Sequence, residues 1–594
     1  MAFCLYTPVS ICGFSGHLQR KRFSNNSSSI QRFNVFSASK CKATTRISGE
    51  DNIERRSANY HPSVWDYDYF QSLKSDFLQV ESYKERASKL QGEVKMMLDN
   101  VENPLEKLEL IDNLQRLGLS HHFEEEINKA LKNISSNGSA VAWKKDNLYA
   151  TALEFRLLRQ HGHKVNQDVL TSFMDEVGNI KASLSVDCKG LLNLYEASYL
   201  VVEGETMLEN AREFAAKHLK ECLKRNEDRY LSMLAYHALE LPLHWRMSRL
   251  EARWFIDVYE KNKDKNPIIL ELAILDYNMV QAMHQEDLRY ASVWWKDLGL
   301  GEKLSFARDR LMENFLWSVG MVVTPRSRKS RIIQTKINAL ITVIDDVYDV
   351  YGTLDELELF TDAVERWDIN ATQRLPNYMK MCYHALHNSI NEMAFDCLKE
   401  QGRDVIPFLK KLWAKLCKAF LLEAQWYHSG YTPTLQEYID NAWISIAGSV
   451  MLGHAYLVTD HITEEGLQNI QEFHPNIIRW SSMIVRLAND LATSSYELKR
   501  GDVAKSIGCY MHESGASEEE AREHVKKLID ATWKKMNEDV MAKSPFSRKF
   551  IEIAMNLARL SLLMYWTGDG LGIEDDETKD RVFLLFVHSI PVPK

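Results

Sequence analysis

From Glu54 onward apolar residues recur at three- and four-residue steps, and the chain reads as helix after helix. Residues 146 to 160 (DNLYATALEFRLLRQ) bring Leu148, Ala152, Phe155 and Leu158 close to one helical face. Ser517-Glu518-Glu519-Glu520 is a capping box that opens a helix through Val525 and Leu528. Neither an alternating strand series nor a repeat of fixed period interrupts this pattern. The charged stretch 260 to 267 (EKNKDKNP) reads as a loop. A domain boundary is expected near residue 275, giving segments 55–275 and 276–594.

Residues 331 to 351 (RIIQTKINALITVIDDVYDVY) are rich in β-branched side chains, so local propensity alone would tolerate a strand. The period decides for a helix. Ile333, Ile337, Leu340, Ile344, Val347 and Tyr351 recur at helical spacing, and Gly352 is a natural stop. Asn338, Thr342, Asp345 and Asp349 then fall on one stripe about 60° wide. A second helix is expected over 476–500, between Pro475 and Gly501. There Ser482, Arg486, Asn489, Thr493 and Glu497 form another stripe. Polar stripes on otherwise apolar helices must face water or a polar cavity, because buried unpaired carboxylates are costly. Hard divalent ions such as Mg²⁺ take oxygen ligands and leave room for water or phosphate. The two stripes, facing each other, suit a Mg²⁺ cluster that binds a diphosphate.

Composition narrows the alternatives. The 594 residues are 45% hydrophobic, 26% charged and 10% aromatic, the profile of a globular protein rather than a disordered or disulfide-framework chain. Only 25 Gly and 13 Pro break the helices. A net charge of −9 and no basic stripe argue against a nucleic-acid partner. No run of eighteen apolar residues is present, so no membrane span is expected. The nine cysteines form no CxxC pair, which predicts reduced thiols in a reducing compartment. Residues 1 to 49 stand apart, with no Asp or Glu, seven basic residues and nine serines. That is the composition of an organelle transit peptide, expected to cover 1–54.

Four motifs make the pattern specific. They are Arg55-Arg56 followed by Trp65, Arg308-x-Arg310, Asp345-Asp346-Val347-Tyr348-Asp349, and Asn489-Asp490-x-x-Thr493-x-x-x-Glu497. With these, the chain from Arg55 to the C-terminus resembles plant terpene synthases, most closely their plastidial monoterpene branch. The resemblance implies an all-α, two-domain fold, with an N-terminal α-barrel-like domain and a C-terminal class I helical bundle. It implies a carbon–oxygen lyase that ionises a prenyl diphosphate with three Mg²⁺, Mn²⁺ being a possible substitute. The substrate expected is geranyl diphosphate, the compartment the plastid stroma, and no obligatory protein partner is readable.

The resemblance also assigns roles. Asp345, Asp346 and Asp349 join Asn489, Thr493 and Glu497 as the metal set, with Asp346 more a hydrogen-bonding support than a bridge. Arg308, Arg310 and Arg486 are assigned to diphosphate capture. Arg308 and Arg310 lie two residues apart, so both reach one ligand only outside a regular helix. Trp317 is placed to offer a π face to a carbocation. Tyr565 and Asp569 belong to the far wall, where Leu571 replaces a histidine carried by many relatives. Arg55 and Arg56 are associated with isomerising the substrate before cyclisation. The loop 501–516, entered from Lys499 and Arg500, reads as a lid.

Three relatives of this pattern fit less well. A trans-prenyltransferase would need a second DDxxD in place of Asn489 to Glu497. A class II cyclase would need an N-terminal DxDD. A sesquiterpene synthase shares the motifs but normally lacks a transit peptide. A catalytically silent helical binding protein would not need ligands on both helices.

Overall fold

The computed structural model describes residues 55–136, 144, 146–225, 228–459, 461–472, 476–500, 503–565, 568–571 and 576–592, without the side chains of 495–500. The acid-free segment 1–54 lies outside them. Among the described residues there is no strand, only an isolated bridge between Met174 and Ile180. Residues 55–594 form one compact unit.

The N-terminal half is built on α1 (Pro104–Arg116), α2 (Leu148–Gln160), α3 (Cys188–Ser198) and α4 (Thr206–Arg225). The face foreseen on α2 is buried: Leu148, Ala152, Phe155 and Leu158 are all in the core. α3 and α4 carry one correction to the sequence reading. Cys188, at the start of α3, and Cys222, in the last turn of α4, are joined by a disulfide with Cα atoms 6.1 Å apart. Two helices running back along each other bring together thiols 34 residues apart, which local spacing does not reveal. Cys382, Cys397, Cys417 and Cys509 are free and buried, in line with the reduced reading.

The charged stretch after Tyr259 ends where Asn266 caps α5 (Pro267–Leu298), with Pro267 in the first turn. This 32-residue helix runs unbroken through position 275. Its first part, Ile269 to Tyr277, packs into the N-terminal core. Its later residues Leu288 and Trp295 pack into a second, larger core. The change of core thus happens inside a helix rather than at a linker.

The second core gathers α6 (Leu311–Met321), α7 (Arg328–Asp346), α8 (Leu354–Arg366), α9 (Ile406–Ser429), α10 (Leu435–Ser445), α11 (Gly448–Thr459), α12 (Ile477–Arg500), α13 (Ser506–Ser514), α14 (Glu518–Met541) and α15 (Arg548–Tyr565). The capping box at Ser517 and Glu520 opens α14 as expected. Leu435–Thr459 is apolar and long enough to cross a membrane, but 78% of its most apolar window is buried inside the fold. It is also broken at Ala447, whose φ of 63° separates α10 from α11. A corrected expectation concerns 501–516. Rather than a loop, most of it is α13, whose first amide, at Ser506, donates to the buried carboxylate of Asp490 on α12.

Candidate active site

Asp345 lies in the last turn of α7, and Asp349 in a wide π-type turn, Val347–Tyr351, that continues it. Such turns add a residue to the helical repeat and often mark functional positions. Gly352 ends the turn. A Cβ there would come within 2.6 Å of Leu357 and 2.9 Å of the Val347 carbonyl, so the chain closes only around a glycine. The first stripe emerges intact. Asn338, Thr342, Asp345 and Asp349 all line one cavity of about 450 Å³.

α12 supplies the opposite wall with Arg486, Asn489 and Thr493. Glu497 continues this stripe along the helix, but its side chain lies outside the described residues. Arg486 donates to the Ala442 carbonyl (3.1 Å) and to Ser445 Oγ (3.1 Å) at the end of α10. Its Nη1 lies 3.4 Å from Asn489 Oδ1. Next to the break at Ala447, Ser445 and Ile446 line the cavity, and Ser445 meets this guanidinium.

Arg308 and Arg310 are in irregular backbone ahead of α6, as the two-residue spacing required. They point to different places. Arg308 lines the cavity and reaches Asp345 Oδ2 at 2.6 Å. Its backbone N–H and Nε also donate to Asp346 Oδ2, at 2.7 and 3.1 Å. Asp346 is fully buried, pairs with Arg308 Nη2 at 2.8 Å through Oδ1, and is not among the residues that line the cavity. Arg310 takes another direction. It is buried, and it donates to the carbonyls of His61 (3.0 Å) and Asp309 (2.9 Å) rather than entering the cavity.

The floor is aromatic and apolar. Trp317 and Tyr565 line it with ring centroids 6.0 Å apart, beside Ile341, Phe420, Met451 and Val485. Asp569 and Leu571 complete the far wall. Burial raises the Tyr565 hydroxyl well above its ordinary pKa, so it is held as a neutral phenol.

Several cavity residues were not legible in the sequence. Lys505 enters from the segment before α13, held at 2.8 Å by Glu423 of α9. Glu423 also accepts from Ser445. Asn314 of α6 accepts from Thr342 at 3.3 Å, and the Asn338 amide oxygen is buried without a protein partner. The only sequence signal for Lys505 was its position eight residues after Glu497.

The fit to oxygen-seeking cations follows from charge. Burial, and then the neighbouring Asp345, push the Asp349 carboxyl up to about 7. Burial raises Asp345 too, despite Arg308. Carboxylates crowded in this way gain stability from any divalent cation placed between them. Carboxylate, amide and hydroxyl oxygens are the donors that Mg²⁺ prefers, so the residues present fit that ion. A second group of potential ligands, His121, His122 and Asp276, lies in the N-terminal half. There the protein already supplies a cation, since Arg249 Nη1 stands 3.8 Å from Asp276 Oδ2.

Arg55 and Arg56 begin a strap that ends at Trp65. Arg55 makes two 2.8 Å bonds to Glu356 of α8 and donates to the Tyr351 carbonyl at 3.0 Å. Although burial opposes it, this guanidinium holds Glu356 down to about 2. Arg56 donates to the Asp349 carbonyl at 3.0 Å and lies 4.2 Å from the ring centroid of Tyr427. Between these anchors, Ala58 to His61 line the cavity mouth.

Comparison with known proteins agrees with this geometry. Residues 64–239 match the family model "Terpene synthase, N-terminal domain", and 296–535 match "Terpene synthase family, metal binding domain". The chain is 60% identical to (-)-alpha-terpineol synthase of Vitis vinifera, covering 94% of this chain and 96% of that protein. It is 58% identical to the chloroplastic myrcene synthase of Quercus ilex, over 93% of each. Among solved structures it resembles limonene synthase with 2-fluorolinalyl diphosphate, at 46% identity and TM-score 0.88, covering 91% of this chain and all of that one. It also resembles the isoprene synthase of Populus x canescens in complex with three Mg²⁺ ions and dimethylallyl-S-thiolodiphosphate. That match has 48% identity and TM-score 0.82, and covers 89% of this chain and all of that one. Two family models that together match most of the chain, and relatives that cover nearly all of it, show that the chain belongs to the terpene synthase family, a lyase acting on prenyl diphosphates.

Proposed function

We propose that this monoterpene synthase takes geranyl diphosphate, breaks its allylic C1–O bond, and converts the resulting cation to a monoterpene olefin or alcohol. The carrying observation is the juxtaposition in one cavity of Asp345 and Asp349 with Asn489 and Thr493, above a floor of Trp317 and Tyr565. Three Mg²⁺ are expected, with Mn²⁺ as substitute; when bound they supply the Lewis acidity that neutralises the leaving diphosphate. Asp345 and Asp349 would hold ions on one wall, and Asn489, Thr493 and Glu497 on the other.

The remaining steps belong to the protein. Arg308, Arg486 and Lys505 receive the diphosphate oxygens as the C–O electron pair leaves with them. The aromatic floor stabilises the allylic cation through its π faces. Geranyl diphosphate has a trans 2,3-double bond, so C1 cannot reach C6 directly. Cyclisation requires the diphosphate to return to C3 as linalyl diphosphate, rotation about the new single bond, and a second ionisation to an α-terpinyl-type cation. The strap keeps water out during both ionisations. The reaction ends when a proton is lost to a base, or when one admitted water adds and gives up its proton.

The domain division at residue 275, with catalysis in 276–594, belongs to this reading. So do removal of 1–54 as a plastid transit peptide and a stromal location. The relatives named chloroplastic support the plastid. The test is to incubate the protein from Arg55 onward with Mg²⁺ and geranyl or farnesyl diphosphate. Pyrophosphate release and gas chromatography are the readouts. C10 products with a strong preference for geranyl diphosphate are expected; turnover of farnesyl diphosphate alone would overturn the C10 assignment.

A further inference from the structure

The strap is pinned at both ends, by Arg55 and Arg56 at one and by buried Trp65 at the other. Its middle is built to turn inward. Asn59 adopts a left-handed φ of 51°, and its amide donates to Ser57 Oγ at 3.2 Å. Asparagine is among the few residues that accept this backbone readily. The bend delivers Tyr60 into the cavity mouth.

Tyr60 meets the first metal box from the strap side. Its ring centroid lies 5.1 Å from the Arg308 guanidinium carbon. Its hydroxyl is near enough to the Asp346 carboxylate to act on its charge. The next residue is gripped as well, since the His61 carbonyl accepts from Arg310 at 3.0 Å. Two consecutive strap residues are therefore held by the two arginines of one short segment. On the cavity side, Arg308 is bound at 2.6 Å to Asp345.

We propose that Tyr60 is a positioning residue that couples closure of the strap to the Arg308–Asp345–Asp346 cluster. The inference rests on the proposed reading of Asp345 as a metal ligand. A cation bound by Asp345 competes with Arg308 for the same oxygen. Arg308 then has an N–H to offer an incoming diphosphate. The Tyr60 ring on one side and Asp346 on the other keep the guanidinium at the cavity mouth rather than in water. Filling the box with metal and diphosphate thereby tightens the strap, because Tyr60 belongs to it.

The test reads the strap directly and needs no prenyl substrate. Trypsin cleavage after Arg56 is timed with and without Mg²⁺ plus inorganic pyrophosphate, in the wild type, Tyr60→Phe and Tyr60→Leu. Protection of the wild type by about tenfold is expected, falling below about twofold in Tyr60→Leu and to an intermediate value in Tyr60→Phe. Cleavage elsewhere in the chain reports folding. Should Tyr60→Leu open sites throughout, Tyr60→Phe decides alone. A wild-type strap indifferent to Mg²⁺ and pyrophosphate, or a folded Tyr60 variant protected as well as the wild type, would overturn the coupling. Failure of the substrate assignment would show separately, as absent pyrophosphate release from geranyl diphosphate.

Discussion

The two halves of the molecule bury charge in opposite ways. In the N-terminal half, Arg116 and Arg156 share Asp112 and Glu196. Arg116 meets Asp112 at 3.2 Å and also bonds Glu196, while Arg156 lies 2.7 and 3.6 Å from the same two acids. Two guanidiniums meet two carboxylates, and the network closes on itself. Although burial opposes it, the pair of arginines holds Asp112 below the ordinary carboxylate range. In the C-terminal half the acids of α7 and its π-type turn are raised instead, Asp349 to about 7. The difference is between a polar cluster whose charges are matched from within and one whose carboxylates stay crowded around a single arginine.

Breaking the crowded cluster should give the largest effect. Asp349→Asn keeps the shape but removes a charge, and turnover should fall about a thousandfold, on the order of 4 kcal/mol of barrier. Thermal stability without metal should hold or rise, since a crowded acid is gone. Near-normal turnover would remove Asp349 from the metal set. The mirror experiment is Arg156→Ala in the closed network. It leaves Asp112 and Glu196 to share Arg116 alone and should cost about 3–5 kcal/mol in urea denaturation. Activity per folded molecule should be unchanged. An activity loss out of proportion to unfolding would mean that the halves are coupled through this network.

How much of this contrast could be read beforehand depends on the range of the contacts. The stripes on α7 and α12 were legible because helical period places Asn338 to Asp349, and Arg486 to Thr493, on single faces whatever surrounds them. The capping box at Ser517 is equally local. The direction of Arg310 is not local, for its partner His61 lies 249 residues away. α13 was missed for a similar reason. Its amide cap comes from Asp490 on another helix, and a Gly- and Ser-containing stretch without its own cap reads as loop. Lys505 needed Glu423 to be seen, and the Cys188–Cys222 pair needed two helices to be laid side by side.

That disulfide sharpens the comparison further, because it ties the self-sufficient half. Cys222→Ser should cost up to about 4 kcal/mol by the loop-closure argument, with kinetics unaltered. Equal melting of the wild type with and without reductant would mean that the bond adds nothing in solution. At the strap the expected change is in the product more than in total turnover. Arg55→Ala/Arg56→Ala should depress cyclic products from geranyl diphosphate about tenfold more than total pyrophosphate release. Supplied linalyl diphosphate, which skips the isomerisation, should suffer less. Equal losses with both substrates at unchanged product ratio would leave the two arginines a structural clasp.

α5 gives the two halves a shared beam, and residues near the C-terminus return to it. Ile590 accepts from Asn278 Nδ2 through its carbonyl and donates to Asn278 Oδ1 through its amide, both at 2.8 Å. Gln285 donates to the Phe586 carbonyl at 2.8 Å, and Ile590 is a member of the N-terminal core. During synthesis, therefore, one contact of the half made first is completed only late. It waits for a residue made after nearly all of the catalytic half. A chain stalled before Phe586 should leave Asn278 and Gln285 of α5 without these backbone partners.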